Sequence, residues 1–243
     1  MQKNNKSLFR YPLLGIALLI SSSFLSLSVA PTIAGVTFKP PGAQAPKRSS
    51  GGASRDGNLC GFATQATTST SVTPLIPTTN IGYTVAERPT IFVYIPTTTA
   101  KTALFTLQTE DSKYSYRTNL SLPNKPGVMQ VKIPASVPAL KTGKNYKWSL
   151  VIICTEELEP DSPWVSGWIR RVEANSNLTT QLNKPVSLDL ISRLAETGIW
   201  YDSLSNLAQL RRSQPNNPVL NEAWQGLLKS VNLSAIANAP LIN

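Results

Sequence analysis

Cys60 and Cys154 are the only cysteines in 243 residues, and they are the side chains best suited to covalent chemistry. An even cysteine count in an oxidising compartment points to one disulfide. Such a bridge would tie the first residues of the folded body to the end of a long apolar strand. Two free buried thiols are the alternative. Histidine is absent, which removes Ser-His-Asp and Cys-His nucleophile systems, imidazole proton shuttles and His-ligated metals. Two cysteines cannot furnish a structural zinc tetrad, and neither a Walker loop nor a Gly-rich dinucleotide turn occurs. A Ser-Lys or paired-carboxylate enzyme stays open in principle, but no residue pattern supports one. No cofactor or metal is expected, and no catalytic residue is assigned.

Four further groups could bind rather than react. Glu156, Glu157, Glu159 and Asp161 offer hard oxygen ligands of the kind calcium takes, without the loop signature that would fix their geometry; a solvated loop is the simpler reading. Trp148, Trp164 and Trp168 could form a sugar-stacking platform, although their period-two placement assigns Trp148 to the core. Arg170 and Arg171 point to opposite faces of one strand and make no patch. Trp200 and Tyr201 are neighbours on a helix and project about 100° apart, so one of them is expected outside the main apolar stripe. A half-exposed aromatic beside a groove is a good interface anchor, and Trp200 and Tyr201 are the candidate interface residues. Tyr201 merely shielding a sheet edge is the competing reading.

The N-terminus sets the compartment. Lys3, Lys6 and Arg10 precede an apolar run over 13–20, and Thr32-Ile33-Ala34 before Gly35 suits signal peptidase. A cleavable signal peptide over 1–34 is expected, with mature protein beginning at Gly35 in the periplasm or outside the cell. The strongly apolar stretch falls short of the roughly 20 residues a spanning helix needs, so no stable membrane insertion is expected after cleavage. The chain carries net charge +10, of which the leader holds +3. The remaining basic residues are scattered, whereas a nucleic-acid binder concentrates them on one face.

The elements that must position these residues fall into three parts. Residues 35–58, rich in Pro, Gly, Ser and Arg, are expected to be a disordered basic linker. Residues 64–79 suit a loop or irregular edge strand. Period-two alternation then predicts strands at 81–85, 90–95, 103–108, 113–118, 128–133, 145–154 and 164–172, so that 59–174 is expected to form an antiparallel β-sandwich, with a small β-barrel as the rival architecture. Residues 175–243 switch to helical periodicity. Pro185 opens one stripe, residues 199–212 form a second, and Asn217-Pro218 is a good cap and first-turn pair for a third. The fold class is therefore α+β.

Leu140-Lys-Thr-Gly-Lys-Asn-Tyr146 resembles the approach to the tyrosine-corner strand of immunoglobulin- and fibronectin-like sandwiches, in which a Tyr hydroxyl bonds nearby backbone. Gly198, Trp200, Asp202, Leu204, Leu207, Pro215 and Asn216 are spaced like the second helix of a tetratricopeptide repeat. A single repeat cannot bury its own face, so these helices are expected to pack on the sandwich rather than on a partner. Arg88 to Pro96, Gly127, Leu140 through Trp148, Cys154, Gly167 to Arg171, Gly198 to Asp202 and Leu207 to Arg211 together resemble a cyanobacterial family catalogued as domain of unknown function 928, over about residues 59–240. That resemblance implies an exported protein and assigns no activity.

The functional expectation is an exported, non-catalytic envelope module that binds a protein partner. A carbohydrate-binding domain is the main alternative, with a His-less hydrolase behind it.

Overall fold

The computed structural model describes residues 35–42, 45–46, 60–62, 71–156 and 158–242. The signal peptide expected over 1–34 and most of the linker expected over 35–58 lie outside these residues.

The alternating segments become strands at β1 (Thr73–Pro74), β2 (Ile81–Thr84), β3 (Thr90–Ile95), β4 (Thr102–Thr109), β5 (Ser115–Ser121), β6 (Gly127–Lys132), β7 (Asn145–Ile153) and β8 (Trp164–Arg171). Helices α1 (Ser176–Leu182), α2 (Leu188–Glu196), α3 (Trp200–Ser213) and α4 (Pro218–Lys229) follow, with a 3-10 turn at Ser234–Ile236 and a last strand, β9 (Leu241–Ile242). One sheet has the order β1-β3-β6-β9 and the other β2-β8-β7-β4-β5. The pairing is not purely antiparallel: β2 runs parallel to β8, and β9 parallel to β6. The 175–243 segment is accordingly not all helical, because its end returns to a sheet.

Period two decides which side chains are buried. On β7, Tyr146, Trp148, Leu150 and Ile152 are buried and their neighbours half-buried. They share one apolar core with Phe105 and Leu107 of β4 and Ile91, Val93 and Ile95 of β3. Strand β3 is buried on both faces. Phe92, on its other face, meets the Trp224 ring of α4 edge-on at 6.5 Å. Gln130 lies directly across from Phe92 and accepts a hydrogen bond from Arg212 of α3 at 2.8 Å. Helices α3 and α4 thus cover the outer side of the four-stranded sheet, and the same core cluster runs through Leu204, Leu207, Trp224 and Leu228. Local caps fix the helix starts. Asn217 accepts from Val219 N with Pro218 in the first turn, and Ser187 accepts from Leu190 N.

Two expectations require correction. The 35–42 stretch is docked rather than free: Val36 and Phe38 are 2% and 4% exposed. Phe38 sits edge-on against Trp200 at 5.0 Å, its N–H donates to Ser230 Oγ, and Lys39 N donates to Ala195 O. Gly226 of α4 permits this, since a Cβ there would lie 3.3 Å from the Val36 carbonyl oxygen. Two apolar side chains at period two are enough to seat an otherwise polar strap in the groove between helices.

The second correction concerns Trp200 and Tyr201, which are 0% and 1% exposed and present no interface. The start of α3 is enclosed from two directions, so an angular separation of 100° leaves neither ring in water. Phe38 covers Trp200, whose Nε1 donates to Leu75 O at 2.9 Å. Tyr201 packs on β2, where a Cβ on Gly82 would come within 2.8 Å of its ring.

Candidate binding groove

Of the side chains singled out in the sequence for possible chemistry, Glu157 lies outside the described residues. Cys60 and Cys154 form a disulfide, with Cα atoms 4.8 Å apart, inside the ordinary range for such bridges. Trp148 and Trp168 are buried and Trp164 half-buried. Trp148 faces the shared core, whereas Trp164 and Trp168 alternate with the core-facing Val165, so the three cannot form one platform. In the acidic loop, Glu159 accepts from the Thr155 hydroxyl at 3.0 Å and its N–H donates to Ser162 Oγ. Among the described residues no cluster of three or more His, Cys, Asp or Glu side chains could hold a metal ion. Arg171 is structural: it donates to Leu140 O at 2.6 Å and pairs with Glu87 at 3.4 Å.

A concavity among the described residues lies elsewhere, at one end of the five-stranded sheet. A groove of about 600 Å³ opens between the β4–β5 turn and the loop leading into β7. Buried Leu140 and Tyr146 form its apolar base, with Tyr114 and Pro138 beside them. Glu110, Asp111, Lys113, Lys141 and Lys144 set charges of both signs along the lining.

Both walls are fixed before any ligand arrives. On the loop side, Tyr146 OH accepts from Lys141 N at 2.8 Å, the backbone bond expected of a tyrosine corner. Leu140 N donates to Glu87 O, Gly143 N donates to Arg171 O, and Gly143 takes φ +76°, where a Cβ would be strained. On the turn side, Asp111 accepts from the Thr109 hydroxyl at 2.6 Å and from Lys113 N at 3.2 Å. These bonds, the Thr109 hydroxyl first, hold the Asp111 carboxyl below the usual carboxylate range. The walls are joined by Asn145 Nδ2 donating to Glu110 Oε2 at 2.8 Å. Asn145 Oδ1 is buried and accepts no hydrogen bond, so one polar atom of the lining is left for a donor.

A rigid groove with an apolar base, charges of both signs and an unpaired acceptor is suited to binding. Sequence reasoning missed it. Its lining comes from two loops more than twenty residues apart, and only the Tyr146 corner signalled where one of them turns.

No described helix is long and apolar enough to cross a membrane. No curated protein and no solved structure matches the chain. Residues 50–241 match the model of the family described as Domain of Unknown Function (DUF928), and the chain belongs to that family.

Proposed function

We propose that this protein is an exported, non-catalytic binding module of the cell envelope that seats a segment of a partner protein in the groove beside Tyr146. In this reading the two sheets form an immunoglobulin-like sandwich and α2–α4 a tetratricopeptide-like buttress. The single observation that carries the proposal is the groove's lining. Its apolar base would take a hydrophobic side chain, while Glu110 and Asp111 on one wall and Lys141 and Lys144 on the other suit the mixed charges of a peptide. The disulfide and the basic, apolar, small-residue order of the N-terminus support export.

Selection from a displayed random-peptide library tests this reading. Enriched peptides should share an apolar residue flanked by charge, and Tyr114→Ala with Lys141→Glu should weaken them by about tenfold or more, the scale of losing an interface anchor. Peptides indifferent to both substitutions would contradict it. Tyr114 also supports a second reading, because a half-buried ring beside two carboxylates could face a sugar. Enrichment on a glycan array instead of the peptide library would favour that alternative.

A further inference from the structure

The four sheet edges are not protected alike. Strands β1 and β9 are two residues long, and β1 contains Pro74. Strand β2 has four residues, with Gly82 pressed against Trp200 and Tyr201 of α3. Strand β5 is an edge of seven residues, Ser115-Tyr-Arg-Thr-Asn-Leu-Ser121, with a single charge and no proline. Natural sheets rarely leave so long an edge bare, because its free backbone groups invite another strand.

The free groups can be identified. Thr109 N donates to Tyr114 O, and Leu122 N donates to Lys101 O. In an antiparallel ladder the bonded residues alternate, so 114, 116, 118, 120 and 122 turn their backbone toward β4. Ser115, Arg117, Asn119 and Ser121 turn theirs away, and among the described residues no strand pairs with them, although Asn119 O accepts from the neighbouring Thr118 hydroxyl at 3.4 Å. Their side chains are exposed, whereas Tyr116 and Leu120 are half-buried against the core.

We propose that β5 is a self-association edge, pairing antiparallel with β5 of a second copy about a two-fold axis through Thr118. The register follows from the sequence. Centred on Thr118, the strands overlap along their whole length, and the outward-bonding residues meet one another: Ser115 opposite Ser121, Arg117 opposite Asn119. Tyr116 covers Leu120 of the second copy, and Thr118 meets its own equivalent. Centring on Arg117 would set two guanidinium groups face to face, which is unfavourable. Centring on Asn119 would shorten the overlap. The sequence is thus self-complementary in one register, and the occupant is a second copy of this chain. A strand pair buries little beside the roughly 1,200–2,000 Å² of a stable interface, so the dimer is weak and concentration-dependent. Each copy is strongly basic, with net charge +10 for the whole chain and three of those charges in the leader, so added salt strengthens it.

Sedimentation velocity over a concentration series of the full chain, purified as the cell leaves it, provides the test. The parent should pass from monomer to dimer, more readily in high salt. Asn119→Arg should weaken dimerisation by about tenfold or more, because like charges then face each other twice across the axis. Its circular dichroism and melting temperature should stay unchanged, since the side chain is exposed. The double substitution Arg117→Asp with Asn119→Arg should restore the dimer, because the introduced acid and base meet across the axis. A chain monomeric at every concentration, a dimer indifferent to Asn119→Arg, or no rescue by the double variant would each overturn the proposal.

Discussion

At the scale of single residues, the junction between sheets and helices hangs on Tyr201 and Asp202. The Tyr201 hydroxyl accepts from Trp148 Nε1 at 2.8 Å and donates to Trp168 O at 3.0 Å. Burial pushes its ionisation above the usual phenol range, with the Trp148 hydrogen bond opposing the shift. Tyr201→Phe keeps the ring but leaves buried polar groups unpaired, at a cost of about 1–3 kcal/mol. Urea denaturation should show a lower midpoint at unchanged slope; an unchanged midpoint would remove this bond from the account. Asp202, in the first turn of α3, accepts from Val85 N at 3.2 Å and so fastens α3 to the end of β2. Desolvation raises its pKa above 3.8 despite bonds from the Thr84 hydroxyl and nearby N–H groups. The folded state therefore holds this proton more tightly than the unfolded chain. Its contribution to stability is complete below pH 3.8 and is lost as pH rises through the folded pKa. Comparing the parent with Asp202→Asn across that window isolates the group. The parent should lose stability relative to the variant as pH rises, and parallel curves would contradict the assignment.

At the scale of elements, the residue pattern announced what was long and regular. The seven strands expected from period two are present, and the Asn217-Pro218 pair opens α4 where its caps place it. Short or composite features were largely illegible. Residues 64–79 read as a loop or irregular edge strand and hold the edge strand β1, whereas the two-residue β9 carries no periodicity and its pairing depends on tertiary packing. The strap at 35–42 was hidden by averaging: Val36 and Phe38 are a period-two signal, but the Pro, Gly and Ser around them dominate any window. Trp200 and Tyr201 misled because a helical wheel cannot show that a strap and a sheet edge both close on one turn. The strap is open to test through Phe38→Ala. Losing a buried aromatic ring costs about 3–5 kcal/mol, so the melting temperature should fall markedly. A change of no more than a degree would show that Phe38 adds little to the helical layer.

At the scale of the molecule, the two sheets and α2–α4 share one apolar core, α1 packs in a second, smaller cluster with Leu190, Leu194 and Ile199, and the disulfide closes a separation of 94 residues. In the chain-entropy account a bridge of that span stabilises by about 4–5 kcal/mol. Reduction, or replacement of both cysteines by serine, should lower the denaturation midpoint accordingly; equal midpoints with and without reductant would contradict the estimate. The groove was the least legible feature of all. Its base residues read as ordinary core and its charges as ordinary loop, and only folding brings 109–114 against 138–146. The central claim is that this groove engages a protein in the envelope. In-cell photocrosslinking tests it most directly, with a photoreactive residue replacing Lys144 at the groove and, separately, exposed Gln209 on α3. A discrete protein adduct from the groove position and none from the helix is the expected result. Equal labelling from both positions, or no protein adduct from the groove, would contradict the claim.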